Sequence, residues 1–336
     1  MKARTVLQIA AGVGSLLTLR AVLRRRRYVD LRGKVVIVTG GSRGLGLVLA
    51  RQLVARGAKV GICARHPDEL DRARVDLLER GGQVYAGVCD VTSRDDVVRF
   101  VTEVRDELGP IDALINNAGV IQVGPMELMN TADYEHAIKT HLWGPLYATL
   151  AVLPEMRARG AGRIVNVASI GGKVAIPHLV PYSASKFALV GMSAGMRAEL
   201  AKENIFVTTV CPGLMRTGSP RHALVKGDYR AEYAWFAISD SLPFTSMSAD
   251  RAAKAIIDAC EHGDAEVVLS VPARMMAKLY GVAPNLVDEA LGWFARALPA
   301  TVMNREAIEG KDAESDLAPS ILTSLSDEAA RRNNEI

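Results

Sequence analysis

The chain has 336 residues, of which 49% are hydrophobic and 23% are charged. This composition is typical of a globular protein and excludes a disordered or collagen-like chain. The formal net charge of +4 is small, and four of the positive charges are the arginines at positions 24–27, so we expect no nucleic-acid partner. A chain of this length is expected to form one catalytic domain with extensions.

The first 30 residues form an apolar segment that ends in the arginine run. Residues 6–19 are apolar around the whole circumference of a helix, and a span of roughly 20 residues requires the helix to continue to Leu23 with Arg20 reaching the headgroups. The arginine run predicts a cytoplasmic location for the bulk of the protein. A cleaved signal peptide fits less well, because no A-x-A-like site follows. We therefore predict membrane association through residues 6–23, and the alternative is an extension that is unstructured or packs on the core.

From Lys34 onward, short β-branched runs alternate with segments of helical spacing such as 68–79 and 94–108. This alternation is typical of a parallel sheet with crossover helices. The predicted fold is α/β, a Rossmann-type doubly wound parallel sheet of about seven strands. The predicted strands are residues 35–38, 59–63, 83–88, 113–116, 163–168, 206–211 and 266–269.

Later segments break this rhythm, and the sequence divides into 1–30, a catalytic domain 31–271, an apolar helical extension 272–300 and a tail 301–336. Within the domain, residues 213–248 carry glycines, prolines and an aromatic cluster, which predicts a substrate lid at the carboxyl end of the sheet. The tail is polar and mixed in charge, which predicts disorder. The aromatic residues of the lid are Tyr229, Tyr233, Trp235, Phe236 and Phe244.

The first predicted strand runs into the sequence TGGSRGLG at positions 39–46, and a helix-like segment follows. Glycines at such a turn let the backbone approach a pyrophosphate, and the N–H groups and dipole at the helix start attract its charge. Because the motif stands in a strand-turn-helix context, it predicts a dinucleotide site.

The residue after the second strand indicates which dinucleotide is bound. An acidic residue there would bond the ribose hydroxyls of NAD, but this chain has Arg65, and the glycine turn adds Arg43. Two guanidinium groups are suited to holding a 2′-phosphate, so NADP(H) is predicted in preference to NAD(H). The alternative is that both arginines are solvated surface groups.

Five motifs in one order make the stretch from 34 to about 270 resemble the short-chain dehydrogenase/reductase (SDR) family. They are TGxxxGxG at 39–46, NNAG at 116–119, Ser169, YxxxK at 182–186 and PGxxxT at 212–217. The resemblance implies a nicotinamide-dependent oxidoreductase that interconverts a carbonyl and an alcohol, acting as a homo-oligomer through the helix 182–202. The extended-branch epimerases and dehydratases of the family instead carry TGxxGxxG.

The predicted chemistry rests on a tyrosine. Hydride arrival at a carbonyl leaves negative charge on oxygen, which Tyr182 would neutralise with a proton. Lys186 lies one helical turn later on the same face, and its ammonium favours the phenolate. The resemblance implies that Lys186 also binds the nicotinamide ribose and that Ser169 bonds the substrate oxygen.

Further site residues follow from the resemblance. It implies that Asp90 and Val91 meet the adenine, that residues 117–119 line the middle of the cofactor, and that Thr217 reaches the carboxamide. The predicted cofactor contacts are Gly40, Ser42, Arg43, Gly44, Leu45, Gly46, Arg65, Asp90, Val91, Asn117, Ala118, Gly119, Tyr182, Lys186, Pro212, Gly213, Met215 and Thr217.

One position departs from the family pattern. His141 stands where the family usually has an asparagine that supports a proton path through water. An imidazole both donates and accepts, so His141 is predicted either as a relay beside the catalytic residues Ser169, Tyr182 and Lys186 or as a packing substitute.

The cysteines and histidines predict no metal site. Cys63, Cys89, Cys211 and Cys260 include no CxxC pair, and the histidines show no HxxxH or HExxH spacing, so reduced thiols are expected. The leading hypothesis is therefore an NADP(H)-dependent oxidoreductase acting on an apolar or lipid-like carbonyl or alcohol. The alternative is an inactive NADP-binding sensor or membrane-tethered scaffold.

Overall fold

The computed structural model describes residues 14–15, 18–243 and 245–336. Its strands are β1 (Val35–Thr39), β2 (Lys59–Ala64), β3 (Gln83–Val88), β4 (Ile111–Asn116), β5 (Gln122–Val123), β6 (Gly162–Val167), β7 (Ile205–Cys211), β8 (Met215–Arg216), β9 (Leu224–Val225), β10 (Met247–Ser248), β11 (Glu266–Val268) and β12 (Ile308–Glu309). Its α-helices are α1 (Gly44–Ala55), α2 (Pro67–Glu79), α3 (Arg94–Leu108), α4 (Thr131–Ile138), α5 (Gly144–Arg159), α6 (Val180–Leu200), α7 (Tyr229–Ser241), α8 (Ala249–His262), α9 (Val271–Val282), α10 (Pro284–Ala295) and α11 (Ser324–Arg332).

The central sheet has seven strands within the described residues, in the order β11-β7-β6-β4-β1-β2-β3. All of its pairings are parallel. Strands β2 and β3 are added on one side of β1, and the later strands β4, β6, β7 and β11 are added on the other, so the strand order reverses between β1 and β4. Such a reversal opens a crevice at the carboxyl ends of the strands. The predicted doubly wound fold is confirmed, and each of the seven predicted strands is present within two residues of its expected bounds.

Alternate residues of each central strand face opposite sides of the sheet, and both sides are apolar. On β1, Val36 and Val38 belong to one hydrophobic core, and Val35 and Ile37 belong to the other. Helices α1 and α8 cover the first side, while α3 and α5 cover the second. The two-sided burial explains why β1 is hydrophobic from Val35 to Val38 instead of alternating with polar residues.

Two small sheets lie beyond the central one. Strand β8 pairs with β10, and β9 lies between β5 and β12. The predicted lid 213–248 therefore contains β8, β9, α7 and β10. Within it Tyr233 and Phe236 are buried and Trp235 is half-buried, while Phe244 lies outside the described residues.

The tail 301–336 differs from the predicted disorder. It contributes β12 and α11, and it buries small side chains such as Ala313, Ala318 and Ala330. Ala313 and Ala318 share an apolar cluster with Tyr233 of α7. Each alanine buries little area, and the tail packs through alanines and a closely approaching backbone. Its overall composition therefore stayed polar, and the composition predicted disorder.

The extension 272–300 forms α9 and α10, whose large apolar side chains, including Met275, Val282 and Trp293, are largely exposed. At the other end of the chain, Arg24 pairs with Asp258 and Asp264 at the end of α8. Much of the predicted anchor 6–23 lies outside the described residues. Among those that are described, no helix has the length and hydropathy to cross a bilayer, and membrane association and a cytoplasmic location stay predictions.

Candidate active site

The loops that follow the central strands meet at one edge of the sheet. Gly40 follows β1, Arg65 follows β2, Asn117 follows β4 and Pro212 follows β7. These loops surround a single crevice, and every predicted cofactor contact lines it together with Ser169, Tyr182, Lys186 and His141. Each residue selected from the sequence is thus placed in the same crevice.

The glycine turn is built so tightly that side chains are excluded from it. Gly40 has a φ of +65°, and a Cβ on Gly46 would lie 1.9 Å from the carbonyl oxygen of Gly40. A Cβ on Gly40 would lie 2.9 Å from the Cα of Ala118. The turn therefore requires glycine at these positions for its own packing, and Gly44 and Gly46 place no side chain of their own before the N-terminus of α1.

The NNAG segment is fastened to this turn by hydrogen bonds. The backbone N–H groups of Asn117 and Ala118 donate to the Thr39 hydroxyl at 3.0 and 3.1 Å, and the Asn117 amide donates to the carbonyls of Thr39 and Gly40 at 3.1 Å. Thr39 and Asn117 therefore fix the relative position of the loops after β1 and β4.

Ser169, Tyr182 and Lys186 line the same crevice as the glycine turn. The Ser169 hydroxyl accepts a hydrogen bond from the Gly171 N–H at 3.0 Å, and a Cβ on Gly171 would come within 3.2 Å of the Tyr182 ring. Lys186 lies one turn along α6, with Nζ donating to the Val167 carbonyl at 2.9 Å and lying 5.6 Å from the centroid of the Tyr182 ring.

Burial dominates the ionisation of this group. It raises the pKa of Tyr182 to about 12, and the Ser169 hydroxyl opposes that rise. Burial also lowers the pKa of Lys186 to about 7. The direction for Tyr182 is opposite to the one expected from a lysine neighbour, because burial of the phenol raises its pKa more than the Ser169 hydroxyl lowers it.

His141 lies in a π-helical turn, Lys139–Trp143, between α4 and α5. Its Nε2 accepts a hydrogen bond from the Val120 N–H at 3.1 Å, so the ring proton is on Nδ1, which lies 2.7 Å from the Ser185 hydroxyl. The Ser185 hydroxyl in turn donates to the Tyr182 carbonyl at 2.8 Å. Burial holds the pKa of His141 well below its usual value, so the ring is neutral and both of its nitrogens are engaged.

The two predicted phosphate-binding arginines have different surroundings. Arg43 makes two contacts of 2.7 and 2.8 Å with the Glu69 carboxylate, whereas Arg65 is exposed and makes no ion pair with any described residue. Glu69 was not selected from the sequence, since a glutamate in the first turn of α2 is an ordinary helix-start residue.

Two more unpredicted groups line the crevice beside the glycine turn. They are His222, in the lid, and Glu335, whose Oε2 lies 3.1 Å from the His222 Nε2. No motif marks either residue, because the tail that carries Glu335 is distant in sequence and was expected to be disordered.

An apolar cluster adjoins Tyr182. The Tyr182 ring packs in it with Leu179, Phe236 and Trp235, and Ile121 and Val123 belong to the same cluster. Of these residues, Ile121 and Tyr182 line the crevice, while Val123, Leu179 and Phe236 are buried. The aromatic side chains of the lid helix α7 therefore pack behind the phenol.

Comparison with known proteins agrees with this arrangement. The profile of the short chain dehydrogenase family matches residues 34–224. The chain belongs to the SDR family. It is 41% identical over 219 residues to a dehydrogenase/reductase SDR family protein 7-like of Anopheles gambiae, covering 62% of this chain and 67% of that one. It is 31% identical over 271 residues to the ketoacyl reductase HetN of Nostoc sp., covering 79% of this chain and 90% of that one.

The solved structures include an SDR neighbour in complex with a cofactor. A crystal structure of a variant of actinorhodin polyketide ketoreductase with NADPH superposes with a TM-score of 0.64 at 32% identity, covering 71% of this chain and 95% of that chain. Family membership and these relatives identify the SDR chain as a nicotinamide-dependent oxidoreductase acting on CH–OH or carbonyl groups.

Proposed function

We propose that this SDR protein is an NADPH-dependent reductase of apolar carbonyl compounds, with Tyr182 as the proton donor. The observation that carries the proposal is that Ser169, Tyr182 and Lys186 line the same crevice as the glycine turn. A dinucleotide whose pyrophosphate lies at the turn would bring its nicotinamide beside the tyrosine.

The crevice fits the cofactor at the turn. The glycines of the turn place no side chain of their own before the N-terminus of α1, and the N–H groups at a helix start favour an anion. In this structure the Glu335 carboxylate lies in that space. Arg65 follows β2, where the adenine ribose is expected, and its guanidinium makes no ion pair with any described residue, which supports a preference for the 2′-phosphate of NADPH. Glu69 weakens this preference by sharing the charge of Arg43.

Each catalytic side chain has a defined part in carbonyl reduction. A bound reduced nicotinamide supplies the hydride. Tyr182 donates its phenolic proton to the carbonyl oxygen, and a phenol whose pKa is about 12 keeps that proton throughout the neutral range. Ser169 donates a hydrogen bond to the same oxygen. The Lys186 ammonium stabilises the phenolate that remains.

The proposed substrate class rests on the apolar side chains that line the crevice near Tyr182, among them Val120, Ile121 and Met215. They favour an apolar group next to the reacting carbonyl. HetN is named a ketoacyl reductase, and an acyl chain that carries a carbonyl would match the same lining. We therefore propose hydrophobic ketones and acyl-chain ketones as the first compounds to assay.

The test is consumption of NADPH, followed by its absorbance, with a panel of aliphatic, acyl-chain, steroidal and quinone carbonyls. Tyr182→Phe is expected to lower kcat by at least about a hundredfold while leaving the Kd for NADPH close to the wild-type value. Tyr147→Phe, outside the crevice, is the matched control and should retain wild-type kcat. Tight NADPH binding with no turnover of any compound would instead favour the inactive sensor.

A further inference from the structure

Residues 333–336, here termed the strap, lie across the glycine turn. The Gly44 N–H, at the start of α1, donates to the Asn333 carbonyl at 2.9 Å. The Asn334 amide donates to the Ser42 carbonyl at 2.8 Å and to the Glu69 carbonyl at 3.0 Å. The strap therefore bonds the same backbone that a pyrophosphate would approach.

The Glu335 carboxylate reaches furthest into this position. A Cβ on Gly44 would lie 2.3 Å from Glu335 Oε1, so the carboxylate fills the space that the glycine leaves open. Its side chain is only 4% exposed, and the nearest basic side chains are His222 at 3.1 Å and Arg43 at 3.7 Å. Oε2 accepts no hydrogen bond from any described residue. A buried, incompletely satisfied carboxylate is costly, and here it lies where the helix N-terminus attracts negative charge.

A pyrophosphate and the docked strap exclude each other. The Gly44 amide is already used by Asn333, and a second group of negative charge beside the Glu335 carboxylate would be repelled in a buried setting. Because the turn is expected to hold the cofactor pyrophosphate, this reasoning rests on the proposed function.

The segment that precedes the strap is packed against the lid. Helix α11 precedes it, and the Ser326 N–H of that helix donates to the Ser241 hydroxyl of α7 at 3.3 Å. Ala330 packs against Gly218, where a Cβ would lie 2.6 Å from the alanine Cβ. Release of the strap thus requires movement of only a few residues beyond an anchored helix.

We propose that the strap is an intramolecular competitor of the cofactor, with the Glu335 carboxylate occupying the pyrophosphate position until NADPH displaces it. If about nine in ten unliganded molecules have the strap docked, the apparent Kd for NADPH is about tenfold weaker than the intrinsic Kd. Removing or neutralising the strap then tightens cofactor binding.

The experiment measures the Kd for NADPH by the quenching of tryptophan fluorescence in the full chain, in a variant lacking residues 333–336 and in Glu335→Gln. Both variants are expected to bind NADPH more tightly, the shortened one by about tenfold. Glu328→Gln is the matched control, because it removes the same charge from an exposed position on α11, and its Kd should equal that of the full chain.

Two further measurements follow the strap directly. A synthetic peptide of residues 324–336 should raise the apparent Kd of the shortened variant, and the same peptide with Glu335→Gln should do so less. Hydrogen–deuterium exchange of the strap, residues 333–336, in the full chain should accelerate when NADPH is added, while exchange in the anchored helix α11 stays unchanged and exchange in α1 slows.

The outcomes separate the strap from the proposed function. Equal Kd values for the full and shortened chains, or weaker binding after shortening, would contradict the proposal that the strap competes with the cofactor. Neither result would contradict the proposed reductase function. Failure of every form to bind NADPH or NADH contradicts the proposed function, and the strap with it.

Discussion

His141 donates a hydrogen bond from Nδ1 to the Ser185 hydroxyl over 2.7 Å, and its Nε2 is occupied by the Val120 N–H. The imidazole thus links the loop after β4 to the helix that carries Tyr182. A ring with both nitrogens engaged and its pKa well below the usual value is suited to positioning and has no free site for a relay.

The first prediction separates these two roles. His141→Asn is expected to leave the shape of the pH–rate profile unchanged and to lower the free energy of unfolding by about 1–3 kcal/mol, because the Val120 N–H loses a well-placed acceptor. Denaturant unfolding and kcat across pH are the measurements, with His136→Asn on α4 as the control. If the pH–rate profile of His141→Asn lacks a titrating limb that the wild-type profile shows, His141 acts as a proton relay after all.

Lys186 gives a second prediction, on pH. Its pKa is lowered to about 7, so its ammonium is present below that pH and is lost above it. Since the ammonium stabilises the Tyr182 phenolate, kcat/KM for carbonyl reduction should fall as pH rises through about 7. Arginine keeps its charge at these pH values, so the residual kcat/KM of Lys186→Arg should not fall as pH rises through about 7. A wild-type profile that is flat from about pH 5 to about pH 9 would contradict the assignment.

Asp240, a buried carboxyl on α7, gives a prediction on stability. Burial raises its pKa from 3.8 to about 7. Between these values the folded chain holds a proton that the unfolded chain releases, so the carboxyl makes stability fall as pH rises through that window. Asp240→Asn should therefore stabilise the protein at about pH 8, by at most about 4 kcal/mol, and have little effect at about pH 4.

Thermal and denaturant unfolding at the two pH values check this expectation. Asp288→Asn, at an exposed position on α10, is the control and should shift neither. If Asp240→Asn destabilises equally at both pH values, the carboxylate is ionised and satisfied in the folded protein, and the assignment is wrong.

Cofactor choice gives a fourth prediction. Arg65→Ala is expected to weaken NADPH binding by about tenfold or more, the value of a charge-assisted hydrogen bond, and to leave the Kd for NADH unchanged. Glu69→Gln should act in the opposite direction, because it frees the Arg43 guanidinium. Arg74→Ala, on the exposed side of α2, is the control. Equal losses for both dinucleotides in Arg65→Ala would refute the preference.

The predicted homo-oligomer also has a testable surface. Helix α6 exposes Phe187 together with Gly191 and Gly195, beside which no atom lies within 4 Å of an added Cβ. Phe187→Asp is expected to shift the protein to monomers in sedimentation velocity, while Phe294→Asp on α10 should not. A wild-type protein that is already monomeric at high concentration would rule out this interface.

Sequence reasoning located the central sheet because its strands are fully buried runs of β-branched residues, as in β1 and β7. It also located the crevice, since Gly40, Asn117 and Ser169 each follow such a run. The short strands β5, β9 and β12 were missed because two residues carry no periodic signal.

The remaining site residues were missed for a different reason. Glu69, His222 and Glu335 reach the crevice through tertiary contacts between segments far apart in the chain, and nothing local distinguishes them from surface residues. The tail resembled a disordered segment because its docking depends on alanines and backbone bonds, which contribute little to hydrophobicity.

The three-stranded sheet β5-β9-β12 joins chain segments near residues 122, 224 and 308. During synthesis the large sheet can assemble as its strands emerge from the ribosome, since its last strand ends at Val268. The small sheet cannot be completed until Ile308 and Glu309 have emerged as well. A nascent chain would consequently complete the seven-stranded sheet, with the glycine turn and Tyr182 already synthesised, before its last segment has been added to the small sheet.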